Sequence, residues 1–194
     1  MLALTPAPNT RFQVIRFFIN IASLIDSLSE ITGKAVSWLT FLMVILVSVD
    51  VILRYLFHIS FIAAQEMEWH LFALIFLLGG GYTLRHNAHV RVDVVYQRLG
   101  KKAKAWINII GCLFFLFPGC YLMIRTSIPF VHSSFALHET SPDPGGLPCR
   151  YLLKMAIPVG FGLIALQGVS LLIHSIMEVA GIHDQAGHNP QEEQ

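Results

Sequence analysis

The sequence predicts an all-α integral membrane protein, with four transmembrane helices preceded by an amphipathic interfacial N-terminal helix. Three observations predict it. Charge is scarce: 13% of the 194 residues are charged and 55% are hydrophobic, where soluble domains carry about 25% charged residues. Four apolar runs approach or reach the length that crosses a bilayer. A fifth segment, ahead of them, repeats polar residues on one side of a helix.

The N-terminal segment is Arg11–Ile31, RFQVIRFFINIASLIDSLSEI. Arg16, Asn20, Ser23, Ser27 and Glu30 recur at steps of 4, 3, 4 and 3, one stripe on a helix of 3.6 residues per turn. Gly33 is expected to end this helix, which then lies in the interface plane or packs on a neighbour. A fifth span is the alternative, but it would put Arg16, Asp26 and Glu30 into lipid. The opening MLALTPAPNT lacks the basic, apolar and cleavage regions of a secretory signal, so the N-terminus is expected to be retained.

The first span is expected at about 35–53 and the second at about Trp69–Leu84, extended backward toward Ile62. The third is expected at about 105–124 and the fourth at about 155–179. A crossing takes roughly 20 helical residues, so the second must recruit its flanks. Pro118 permits a kink in the third. Solid apolar runs do not fit a β-barrel, whose strands alternate. The domains expected are thus a cytoplasmic tail with its amphipathic helix over 1–34, a four-helix membrane domain over 35–180 and a disordered tail over 181–194.

Lysine and arginine set the orientation. One side takes Arg11, Arg16, Lys34, Arg85, Arg91, Arg98, Lys101, Lys102 and Lys104; the other takes Arg54, Arg125, Arg150 and Lys154. The richer side is cytoplasmic, which places both termini there and turns Glu66, Glu68 and the SPDPGGLP loop (Ser141–Pro148) outward. Net charge is +1, too little for a nucleic-acid surface. Three scattered cysteines, with no CxxC pair, suggest neither a disulfide framework nor zinc.

Few residues offer chemistry. His86, His89 and Asp93 stand at ligand spacing on a helix, but the plainer reading is a solvated flank. A bis-histidine haem needs two histidines at one depth. His70 and His174 lie at opposite ends of their spans, about 30 Å apart, and the first and third spans, so bounded, have none. Asp50 is an acid inside a span and therefore a candidate relay. Arg54, four residues on, makes a local ion pair the plainer reading. Glu66 and Glu68, at i and i+2, do not share a helix face, and they read as an outer flank with Trp69 at headgroup level. Gly79, Gly80 and Gly81 permit close helix approach, as does Ala156-x-x-x-Gly160. Whether a partner or this same chain fills those gaps is open.

Val51–Tyr55 (VILRY), Glu66 and Glu68, the apolar helix, Arg85 and His89–Asp93 (HVRVD) together resemble the small membrane subunit of tripartite ATP-independent periplasmic (TRAP) transporters, the DctQ-like family. The resemblance covers about residues 35–180. It implies a non-catalytic scaffold subunit of a sodium-coupled importer of organic acids. The partners implied are a large DctM-like permease subunit of elevator type and a periplasmic DctP-like binding protein. No cofactor is expected in this chain; Na+ is expected in the large subunit. Arg85, His89 and Asp93 are expected to fix the cytoplasmic turn between the second and third spans. Asp50, Arg54, Glu66, Glu68, Trp69 and the three glycines remain as structural or partner-interface candidates. The alternative function is a haem-binding or anchoring membrane subunit of a respiratory complex.

Overall fold

Among the described residues, four helices are long and apolar enough to cross a membrane. A computed structural model describes residues 10–86 and 99–181. Helix α1 is Thr10–Leu56 and α2 is Ile62–Arg85. Helix α3 is Lys101–Ala136 and α4 is Arg150–Val179. Among the described residues no strand occurs.

The break expected at Gly33 is absent. The N-terminal segment and the first span form one 47-residue helix, about 70 Å long at 1.5 Å per residue. Gly33 is helical because α2 needs it small: a Cβ there would collide with the ring of Tyr82. Loss of helix propensity, about 1 kcal/mol, is offset by that contact.

The N-terminal half of α1 also turns a different face inward than its polar stripe suggests. Arg16, Asn20, Ser23 and Ser27 are exposed, whereas Ala22 and Ser29 are buried and Asp26 is half-buried. With Gly33, these inward residues recur at steps of 4, 3 and 4, a seam of small and polar side chains. The opposite side exposes Phe17, Leu24, Leu28 and Ile31.

Helix α4 is the centre of the bundle: α1, α2 and α3 all pack on it, and α1 also packs along α2. Contact without much bulk is the rule for helices in lipid, and the glycines supply it. A Cβ on Gly160 of α4 would lie 2.6 Å from the carbonyl oxygen of Leu77 on α2. Gly79 faces Val36 of α1, Gly80 faces Ile164 of α4, and a Cβ on Gly81 would meet both the Leu163 carbonyl and Ser29. This chain's own helices therefore fill the gaps over the triple glycine.

Helix α3 runs to Ala136, twelve residues beyond its expected end at Ile124, and so includes His132. Residues Cys112–Leu116 form a π-helical stretch just before Pro118. Proline has no N–H and its ring crowds the carbonyl four residues back; the wider turn relieves both. Gly168 of α4 receives Leu116 and Phe117 at that bulge.

Candidate functional site: polar clusters at the two ends of the bundle

At the end carrying the α1–α2 turn, two carboxylates hold down the 137–149 loop. Glu66, in the first turns of α2, accepts hydrogen bonds from the Ser141 hydroxyl and from the Leu147 N–H at 2.6 Å. Arg150 Nη2 stands 3.6 Å from the same carboxylate. Glu139 accepts from Lys154 Nζ and from Ser134 Oγ, the latter at 2.6 Å, and its carbonyl receives the Arg150 N–H at 3.0 Å. Lys154 also sits 4.1 Å above the Phe130 ring. His70 Nδ1 donates to the Glu66 carbonyl at 2.6 Å. A cavity of about 290 Å³ lies between these groups, bordered by Glu66, Trp69, His70, Glu139, Arg150 and Lys154.

The cluster can fasten a loop, and it is poorly built for catalysis. Both oxygens of Glu66 are engaged by fixed donors, so it is no free base, and no nucleophile–base–orienter chain is present among the groups around the cavity. Alanine at Glu66 should free the loop without unfolding the bundle. Cys149 reports it, being half-buried at a left-handed position (φ 64°) while Cys112 and Cys120 are buried in α3. Its labelling by a membrane-impermeant maleimide should accelerate roughly tenfold, the factor for about 1.4 kcal/mol of lost docking energy; an unchanged rate contradicts the loop-fastening role.

Glu139 carries a pH signature. Hydrogen bonds from Lys154 and Ser134 hold its carboxyl below the usual carboxylate range. A depressed folded pKa contributes stability that is present above the unfolded value, about 4.3, and lost as pH falls through the folded value. Hydrogen exchange over residues 137–150 should therefore stay slow through pH 5 and quicken only in stronger acid. In Lys154→Gln that acid threshold should move up.

The opposite end holds a second cluster, between the polar seam of α1 and the second half of α4. Asp26 Oδ1 accepts from Gln167 Nε2 at 2.8 Å and from Ser170 Oγ at 2.7 Å. Ser29 Oγ donates to Gln167 Oε1 at 2.5 Å. His174 Nδ1 donates to the Ser170 carbonyl at 2.9 Å, and its Nε2 lies 4.0 Å from Asp26 Oδ2. Gln167, Ser170 and Ser29 are all buried. From α2, Arg85 Nη1 donates to the Asp26 carbonyl at 2.8 Å and to Glu30 Oε2 at 2.6 Å, with His86 Nε2 3.3 Å from the same oxygen.

The candidates from sequence fall into three groups. Asp50 is paired with Arg54, as i and i+4 on one helix. Glu66 and Arg85 are ion-paired across helices, Glu66 to Arg150 on α4 and Arg85 to Glu30 on α1. Trp69 is exposed at the turn end, and Gly79, Gly80 and Gly81 are internal packing sites. His89 and Asp93 lie outside the described residues, as do Arg91 and nearly all of the 181–194 tail, so the turn they were expected to fix is not placed. Among the described residues, no three His, Cys, Asp or Glu side chains converge as metal ligands. His70 on α2 and His132 on α3 share one end of the bundle, and both helices pack on α4.

Sequence reasoning missed Asp26, Ser29, Gln167, Ser170, Glu139 and Ser141. Gln167, Ser170 and His174 do carry a signal: spaced 3 and 4 apart in an apolar span, they mark one polar face that needs an internal partner.

The profile of the family described as "Tripartite ATP-independent periplasmic transporters, DctQ component" matches residues 43–177. The chain belongs to the DctQ family. A Pseudomonas aeruginosa protein named "C4-dicarboxylate TRAP transporter small permease protein DctQ" is 28% identical over 118 residues, covering 57% of this chain and 55% of that protein. A Haemophilus influenzae protein, provisionally named as a TRAP transporter small permease protein, is 32% identical over 123 residues, covering 61% of this chain and 74% of its own length. The match thus spans about half of the first relative and three quarters of the second. DctQ is a family of transporter components rather than enzymes, in keeping with two clusters that fasten helices and a loop.

Proposed function

We propose that this DctQ-family chain is the non-catalytic scaffold subunit of a sodium-coupled TRAP importer of organic acids. In this reading it supports a large elevator-type permease subunit in the bacterial inner membrane, and a periplasmic binding protein delivers substrate. The lysine and arginine distribution favours the Arg85 end as cytoplasmic and the Glu66 end as periplasmic. The P. aeruginosa relative's name favours a C4-dicarboxylate.

One observation carries the reading. The polar groups of the two clusters are spent on ties within the chain, and the outer surface left over is apolar along its length, with Trp38, Phe41, Phe72, Phe76, Phe114 and Phe115 exposed. That is the surface of a rigid wall suited to lipid and to another membrane protein. Co-expression with the large permease, followed by affinity capture of this chain in mild detergent, tests it. The expected result is a stoichiometric complex with no Soret absorption. Capture of this chain alone would contradict the scaffold reading, and a Soret band would restore the haem alternative.

A further inference from the structure

Two buried side-chain oxygens find no hydrogen-bond partner among the described residues, and both belong to carboxylates: Asp50 Oδ1 and Glu68 Oε1. Buried acceptors are costly to leave unmet, and each asks for an explanation.

The two stand at nearly the same level along the α1–α2 hairpin. Helices α1 and α2 pair antiparallel in a register set by Glu30 with Arg85, Gly33 with Tyr82 and Val36 with Gly79. Continued up the hairpin, that register brings Asp50 level with Gln65 and Glu68 level with Val47, so the acids are about one turn, ~4.5 Å, apart along the axis. Both are on the contact faces. On α1 the less exposed positions are Val36, Leu39, Met43, Leu46, Asp50 and Leu53, at steps of 3 and 4. On α2, Glu68 shares a face with Leu71, Ile75 and Tyr82. Asp50 is 3% exposed.

The Ser48 hydroxyl donates to the Val44 carbonyl and the Gln65 amide to Ser60, while Arg54 Nη2 serves the other Asp50 oxygen, Oδ2. Both orphan oxygens are sealed from the surface, so a side chain of another subunit does not reach them. Two carboxylates and one guanidinium leave a single net negative charge. That matches a monovalent cation and argues against a divalent one.

We propose that Asp50 and Glu68 bind a hard monovalent cation, of the sodium class, between α1 and α2, with backbone carbonyls or water completing an all-oxygen shell. The cation crosslinks the α1–α2 hairpin beneath its turn. Arg54 is a positioning residue that leaves Asp50 Oδ1 directed to the ion.

The test is thermal unfolding of the purified full-length chain in detergent, in sodium chloride and in choline chloride at equal ionic strength. Sodium at ten times its dissociation constant should raise the midpoint by about 3–6 °C. Glu68→Gln and Asp50→Asn should each abolish the difference. Infrared difference spectra of the wild-type chain, sodium minus choline, give a second readout that needs no variant to fold: a shift of carboxylate stretching bands is expected. Equal midpoints in the two salts would overturn the proposal, as would a sodium effect that survives Glu68→Gln. A carboxylic-acid band at neutral pH that disappears in Glu68→Gln would also overturn it, assigning a shared proton in place of the ion.

Discussion

Leucine at Gly160 should prevent α4 from seating on α2 and leave little correctly folded chain, while leucine at Gly162 should be tolerated. The two glycines are two residues apart on one helix. A Cβ on Gly160 meets backbone, the Leu77 carbonyl oxygen at 2.6 Å, whereas a Cβ on Gly162 has nothing within 4 Å. Backbone cannot rotate aside as a side chain does, so the helices must separate. Overpacking typically costs about 1–3 kcal/mol, and here even alanine is expected at the upper end of that range. Because α4 carries α1, α2 and α3, the loss is not confined to one contact. Monodispersity and thermal midpoint of both variants in detergent check this; equal behaviour of the two would contradict the packing described.

Alanine at Asp26 should be the most damaging loss of a side chain on α1. It strips the acceptor from Gln167 Nε2 and Ser170 Oγ together, and both residues are buried. Each stranded donor costs about 1–3 kcal/mol, although hydrogen bonds between membrane helices tend toward the low end, so a total on the order of 2 kcal/mol is expected. Asp26→Asn, which keeps one acceptor oxygen, should lose less. Replacing the whole group, with Asp26→Leu, Ser29→Ala, Gln167→Leu and Ser170→Ala in one chain, should recover much of the stability, because the donors and acceptors that satisfied one another are removed together. Thermal midpoints of the three proteins decide: a quadruple variant no better than Asp26→Ala would mean that the cluster contributes specific attraction rather than mutual satisfaction.

How much of this was legible from sequence follows from what each signal encodes. Four spans were legible because length and apolarity are local properties; the DctQ-like motifs were legible because they are contiguous. The fate of Gly33 was not. Glycine reads as a stop unless one knows that Tyr82, forty-nine residues on, occupies the space where its side chain would be. The seam of Ala22, Asp26 and Ser29 was hidden for a related reason. Its neighbours Asn20, Ser23 and Ser27 form an equally regular polar stripe, and only the Gln167–Ser170 face of α4 distinguishes the two. Glu66 was read as an outer flank; its partners Ser141 and Leu147 come from a loop, and Arg150 from the start of α4, and the path between them depends on Gly145 with φ at 83° and on Cys149 in the left-handed region. Arg85 was expected, with His89 and Asp93, to fix the turn between the second and third spans; its guanidinium instead joins α2 to α1 at Asp26 and Glu30, two residues too far away in sequence to be read as its partners.

The scaffold account makes one claim that separates it from any direct role in transport: residues of this chain govern assembly and leave substrate recognition alone. Binding-protein-dependent uptake of a C4-dicarboxylate, in proteoliposomes containing the large subunit and this chain, tests that most directly. Wild type, Glu66→Ala, Asp26→Ala and Arg85→Ala should be compared per assembled complex. The account predicts uptake that falls in proportion to assembly with an unchanged substrate KM. A variant that assembles fully and shifts KM would contradict it.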